Sequence, residues 1–245
     1  MRTQISFFVL ILLLLLLTSA CQGENSASIS EGPDSPAPAP PAVASILSVP
    51  QGEAPTIDGT LSPGEWDGAA TDLFADGSEL FLMYRDGYLY LGIRSITPEM
   101  IAGNIFIDGG DEITILHASA ALGTAIYAQG RDGWEQTQEF DWRCRSTGNG
   151  GAAQAERDAF LGEEHWVAAN SRTGTPAELE YQIAVAGETV RLTANILRSS
   201  NPNEKTPWPA DLDDDCIKPT PGGLPNALHF SPDKWATVGL PSSER

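Results

Sequence analysis

The chain is poor in the residues that most enzymes rely on. It has three histidines and three cysteines in 245 residues. His117, His165 and His229 sit in separate segments without metal-ligand spacing, so a histidine-built zinc site is not indicated. Each reads as a surface or hydrogen-bonded structural histidine. There is no G-x-S-x-G elbow, no phosphate-binding loop and no dinucleotide fingerprint. Basic residues are scarce too: 14 Lys and Arg stand against 33 Asp and Glu, a formal net charge of −19. Such a chain repels nucleic-acid phosphate and is no candidate for binding it. The acidity fits a solvated secreted surface, and a share of the carboxylates could serve calcium. Long helical hydrophobic patterns are also missing. Twenty-four glycines and 18 prolines suit many turns between short strands, and the length suits one all-β domain with accessory segments.

The most informative stretch is 56–95. Ser78–Arg85 and Tyr88–Ser95 read as two strands across Asp86-Gly87, a pair suited to a type I′ turn with positive φ at both positions. In the second strand Leu89, Leu91 and Ile93 share one face, and Tyr88, Tyr90, Gly92 and Arg94 the other. Ahead of the hairpin come Ile57-Asp58-Gly59, Leu61 and Glu65-Trp66. These residues, with Asp86, Leu89, Tyr90 and Leu91, resemble the opening of family 9 carbohydrate-binding modules and their DOMON-like relatives. The resemblance implies an antiparallel β-sandwich that binds a carbohydrate or another small ligand without catalysis. One DOMON branch binds haem, for which Met83, Met100 and His117 are candidate axial ligands. Trp66 is expected in the core.

The N-terminal end has a different character. A single arginine at position 2 precedes an apolar run, Ile5–Leu17, followed by Thr18-Ser19-Ala20-Cys21. This pattern describes a secretory signal, and the cysteine after small residues resembles a bacterial lipoprotein signal. It implies cleavage after residue 20, lipid on Cys21 and an extracytoplasmic, membrane-anchored protein. An uncleaved anchor helix is the alternative, with a run short for a bilayer. Residues 22–45, rich in Pro, Ala and Ser, read as a disordered tether. The sandwich domain is then 46–245. With Cys21 lipidated, Cys144 and Cys216 are expected to form a disulfide, worth about 4 kcal/mol in the chain-entropy account; two separate buried thiols are the other reading.

Further strands are expected at Ile46–Val49, Pro55–Ile57, Asn104–Asp108, Glu112–His117, Ala125–Gln129, Gly133–Cys144, His165–Asn170, Glu178–Val185, Val190–Leu197 and after Trp235. Glu178–Val185 and Val190–Leu197 alternate well and read as a hairpin. Residues 146–155 read as a loop, 156–161 as a helical turn and 199–225 as a long irregular loop. Trp134, Phe140 and Trp142 share parity, facing either the core or a ligand. Candidate ligand-binding residues are Trp134, Trp142 and Trp208, whose rings could stack on a sugar, with Arg143, Arg145 and Asn170 as polar partners for hydroxyls. Asp211, Asp213 and Asp215 are spaced like a calcium loop. They fail the EF-hand pattern, because Cys216 and Gly222 occupy its glycine and glutamate places. Asp108, Asp111 and Glu112 read as an acidic hairpin tip or part of a calcium site. Two other functions stay open: an assembly role against another envelope protein, and a hydrolase with paired carboxylates.

Overall fold

The computed structural model describes residues 46–131, 133–142, 151–171, 176–210, 212 and 225–242. Two sheets pack face to face. Sheet A runs in the order β1 (Ile46–Ser48), β14 (Ala236–Gly239), β11 (Thr189–Arg198), β5 (Ile101–Asp108), β6 (Glu112–Ala118), β7 (Leu122–Gln129), β8 (Trp134–Gln138), β13 (Ala227–Leu228), with β12 (Asn201–Trp208) also on β11. Sheet B runs β2 (Ala70–Leu73), β3 (Glu79–Arg85), β4 (Tyr88–Arg94), β10 (Glu178–Ala184), β9 (Trp166–Asn170). Every pairing of these strands is antiparallel except β1 with β14. This is an all-β sandwich, and one helix, α1 (Gly151–Glu164), packs beside β9.

The β3–β4 hairpin forms as its sequence requires. Asp86 and Gly87 have φ of 48° and 87°, the left-handed values of a type I′ turn. Leu80 and Leu82 of β3, Leu89, Leu91 and Ile93 of β4 and Leu179 and Tyr181 of β10 turn inward and are fully buried. Ile101, Ile105, Leu192, Ala194 and Ile196 of sheet A meet them. At Gly103 the sheets come so close that a Cβ would lie 2.6 Å from Leu179 Cδ2 and 2.7 Å from the Tyr181 hydroxyl.

The sandwich is covered on both outer faces. On sheet B lies the segment that contains the Ile57-Asp58-Gly59 and Glu65-Trp66 residues. Trp66 is buried over Gly92, where a Cβ would meet its ring at 3.1 Å, and its centroid is 6.2 Å from that of Phe81. On sheet A a second apolar cluster joins Phe106, Ile113, Ile115 and Tyr127 to Trp134, Phe230 and Trp235. Trp66 is thus in the main apolar cluster, as expected, joining it from the outer face of sheet B.

Four expectations are corrected. Strands β10 and β11 are not a hairpin: β10 pairs with β4 and β9, β11 with β5, β12 and β14. Their apolar stripes meet across the sandwich instead of side by side, which buries both. The strand expected over 133–144 ends at Gln138. Helix α1 replaces the loop expected over 151–155, since its Ala, Gln, Glu, Arg and Leu residues are good helix formers. Phe160 fixes the helix edge-on to Trp166, centroids 5.2 Å apart. Strand β12 occupies 201–208 in the expected long loop, because the adjacent edge of β11 offers it a ladder.

Candidate functional site

The outer face of sheet A carries a polar row across three strands. Asn195 (β11), Asn104 (β5) and His117 (β6) are neighbours in register. Asn104 Nδ2 donates to Asn195 Oδ1 at 2.8 Å, and His117 Nδ1 lies 2.7 Å from Asn104 Oδ1. The register continues to Gly123 on β7, opposite His117. Having no side chain, Gly123 leaves room for two rings. A Cβ there would lie 2.9 Å from Trp142 Cε3 and 3.2 Å from Phe140 Cδ1.

His117, Phe140 and Trp142 form one cluster. The Trp142 and Phe140 centroids are 4.8 Å apart, and His117 meets Trp142 edge-on at 5.1 Å. Trp142 is 41% exposed, the one tryptophan among the described residues with a large open surface. An indole held in place by its neighbours with one side in water is suited to stacking on an apolar ring face. Burial pushes the His117 pKa down to about 4, so the ring is neutral at physiological pH.

Alongside runs β8, between β7 and the two-residue edge strand β13. A groove of about 580 Å³ is lined by Glu135–Glu139 with Asn226 and Ala227, within the size range of small-molecule sites. Its walls hold carboxylates, amides and a hydroxyl, and no cation. Glu139 is one residue from Phe140, so groove and ring cluster follow each other along the chain.

The sequence-derived candidates separate clearly. Trp142 lies in the cluster. Trp134 is buried in the second apolar cluster, edge-on to Phe230 at 5.8 Å. Trp208 is 1% exposed and spends its indole N–H on Asp72 Oδ2 at 2.9 Å. Asn170 is buried, with Nδ2 donating to the Ile101 carbonyl at 3.3 Å. Those three side chains hold the fold and offer a ligand no open face. Arg143, Arg145, Cys21, Cys144, Cys216, Asp211, Asp213 and Asp215 lie outside the described residues. Among the described residues no group of three or more His, Cys, Asp or Glu is placed to hold a metal ion. Asp108 is instead engaged by Arg191 Nη1 at 3.0 Å and the Gly110 amide at 2.9 Å, so the turn is an acidic hairpin tip. Met83 is buried on the outer side of sheet B against Gly52, and His117 stands on the outer side of sheet A. With the whole sandwich between them, these two cannot share a haem iron.

Sequence does not single out Asn104 or Asn195; it marks Phe140 only by its shared parity with Trp134 and Trp142, and His117 as a structural histidine or candidate haem ligand. That parity does not separate the buried Trp134 from Phe140 and Trp142. That His117 faces them depends on strand pairing, which the local sequence does not encode.

No family model matches the chain, and no curated protein matches it in sequence. Solved structures of similar fold exist. One is a family 9 carbohydrate-binding module from Caldicellulosiruptor kristjanssonii in complex with cellotriose: 12% identity, TM-score 0.44, covering 82% of this chain and 95% of that one. Another is a proposed carbohydrate-binding protein from Bacteroides uniformis: 12% identity, TM-score 0.45, covering 80% of this chain and all of that one.

Proposed function

We propose that the chain is a non-catalytic module that binds a carbohydrate on the outer face of sheet A, held outside the cytoplasm by lipid on Cys21. One observation carries the binding reading. A half-open indole, Trp142, is seated on Gly123 beside His117 and next to a polar groove of about 580 Å³. A flat apolar platform beside hydroxyl-binding groups is the chemistry that a sugar ring needs. The groove's negative and neutral lining favours an uncharged glycan over an acidic one.

The test is a glycan-array screen of the compact unit 43–245, run with calcium and repeated with chelator. Specific binding that Trp142→Ala abolishes supports the proposal. A blank array with folded protein overturns it and shifts the search to an envelope-protein partner. Loss of binding in chelator would assign calcium to the acidic stretch 211–215. The Cys144–Cys216 disulfide belongs to the same extracytoplasmic reading. Two free thiols in the purified protein, seen by thiol titration, would remove it. Metabolic labelling with a radioactive fatty acid tests Cys21: the label should vanish in Cys21→Ser.

A further inference from the structure

The row behind the ring cluster has a direction. The Asn104 atom facing His117 Nδ1 is a carbonyl oxygen, which can only accept. With Asn104 so oriented, the proton of that bond belongs to Nδ1. In this orientation the Asn104 amide nitrogen donates to Asn195 Oδ1. Asn195 is fully buried and leaves its own Nδ2 without a partner. The row thus carries one unmatched donor at its buried end, and its order leaves His117 Nε2 as a bare acceptor at the other. Among the described residues no group pairs with Nε2. The imidazole is edge-on to the indole of Trp142.

We infer that His117 is a second ligand-contacting residue whose Nε2 accepts a hydrogen bond from a hydroxyl of the ring stacked on Trp142, with Asn104 and Asn195 as positioning residues that keep the proton on Nδ1. This rests on the reading of Trp142 as a sugar platform, and it narrows the ligand. The stacked unit must present a free hydroxyl at its edge, and a methyl ether at that point has no proton to give. The depressed His117 pKa supports the assignment, since a protonated ring would have no lone pair to offer.

The experiment has a ligand-free arm and a binding arm, both on the full chain in detergent. Long-range proton–nitrogen NMR on histidine-labelled protein reports the tautomer directly. The Nδ1–H form is expected for His117, with the Nε2–H form gaining population in Asn195→Leu. An Nε2–H tautomer in the unmodified chain overturns the inference whatever the chain binds. In the binding arm the probes are cellotriose, xylotriose and maltotriose, with their permethylated forms as controls. His117→Asn keeps a donor toward Asn104 but has nothing at the Nε2 position, and it should lose about tenfold in affinity, one hydrogen bond's worth. His117→Gln, which places an acceptor there, should recover part of the loss, and the permethylated probes should bind no better to the unmodified chain than to His117→Asn. Wild-type affinity in His117→Asn, where Trp142→Ala abolishes binding, overturns the inference and leaves the platform standing. If no probe binds, or if Trp142→Ala binds normally, the platform reading fails and the inference falls with it.

Discussion

Glu180 Oε2 accepts a hydrogen bond from the Gly59 backbone nitrogen at 2.8 Å, across 121 residues of sequence. The Asp58 and Thr60 nitrogens reach the same oxygen at 3.0 and 3.3 Å, and Trp66 Nε1 reaches Oε1 at 3.2 Å. One buried carboxyl group thus gathers the Ile57-Asp58-Gly59 turn and the Trp66 plug onto sheet B. Glu180→Ala would leave those donors buried and unpaired, and a loss of about 2–4 kcal/mol is expected in urea unfolding. The pH dependence follows from the same site. Burial pushes the Glu180 pKa up to about 8, with the Gly59, Asp58 and Trp66 hydrogen bonds pulling the other way. The folded state then holds a proton that the unfolded chain releases above its ordinary value of 4.5. Its contribution to stability is whole below that value and is lost as pH rises through 8. Thermal midpoints should fall between pH 5 and pH 9, and Glu180→Gln should flatten that decline.

His117 acts at the other end of the scale. Its folded pKa of about 4 lies below the ordinary 6.5, so the unfolded chain takes up a proton that the folded chain refuses. The contribution is present above pH 6.5 and is lost as pH falls through 4, on the order of 3 kcal/mol at most. Thermal scans from pH 7 to pH 4 should show this decline in the wild type and a weaker one in His117→Gln.

The tryptophans should divide by role. Trp208→Ala removes a fully buried ring and its bond to Asp72, and about 3–5 kcal/mol of stability should go with it. Trp134→Ala should also destabilise, by about 3 kcal/mol. Trp142→Ala, at a half-open ring, should cost the least stability of the three, about 1 kcal/mol, while abolishing glycan binding. Urea titrations beside binding isotherms separate the two outcomes.

Gly123→Ala tests the platform without touching the indole. Its Cβ would stand 2.9 Å from Trp142 Cε3 and 3.2 Å from Phe140 Cδ1, so the rings must lift. Tryptophan fluorescence should shift toward that of a more solvated ring, and glycan affinity should fall about tenfold. Far-ultraviolet circular dichroism should stay that of the wild type.

The two-layer architecture was legible because strand alternation and turn chemistry are local. Asp86-Gly87 forces the hairpin, and the inward stripes of β4, β10 and β11 are visible in sequence. Pairing is not local. Leu179-x-Tyr181 and Leu192-x-Ala194-x-Ile196 read equally well as adjacent strands or as opposed faces, and the fold uses the second. Glu180 shows the same limit from another side: its sequence position is that of a solvent-facing strand residue, and only the arrival of the 57–66 segment buries it. Of the three indoles named from sequence, Trp142 is open and Trp134 and Trp208 are buried, a difference that sequence does not show because open and buried indoles look alike in it. Asn104, Asn195 and His117 belong to one row only through β5 pairing with β11 and β6.

The three-residue β1 lies beside β14 at one edge of sheet A, and Trp142 sits over β7, five strand spacings away, about 24 Å. A pull on the chain ahead of Ile46 against a hold at Trp142 crosses the five seams between β1 and β7. The shortest seam on that path is β1 on β14, three residue pairs, and it is the one expected to part first. Its release would free about 10 Å of chain and leave the face around Trp142 in place; under the proposed lipid anchor and glycan contact, the entry strand would then serve as a mechanical fuse between the two.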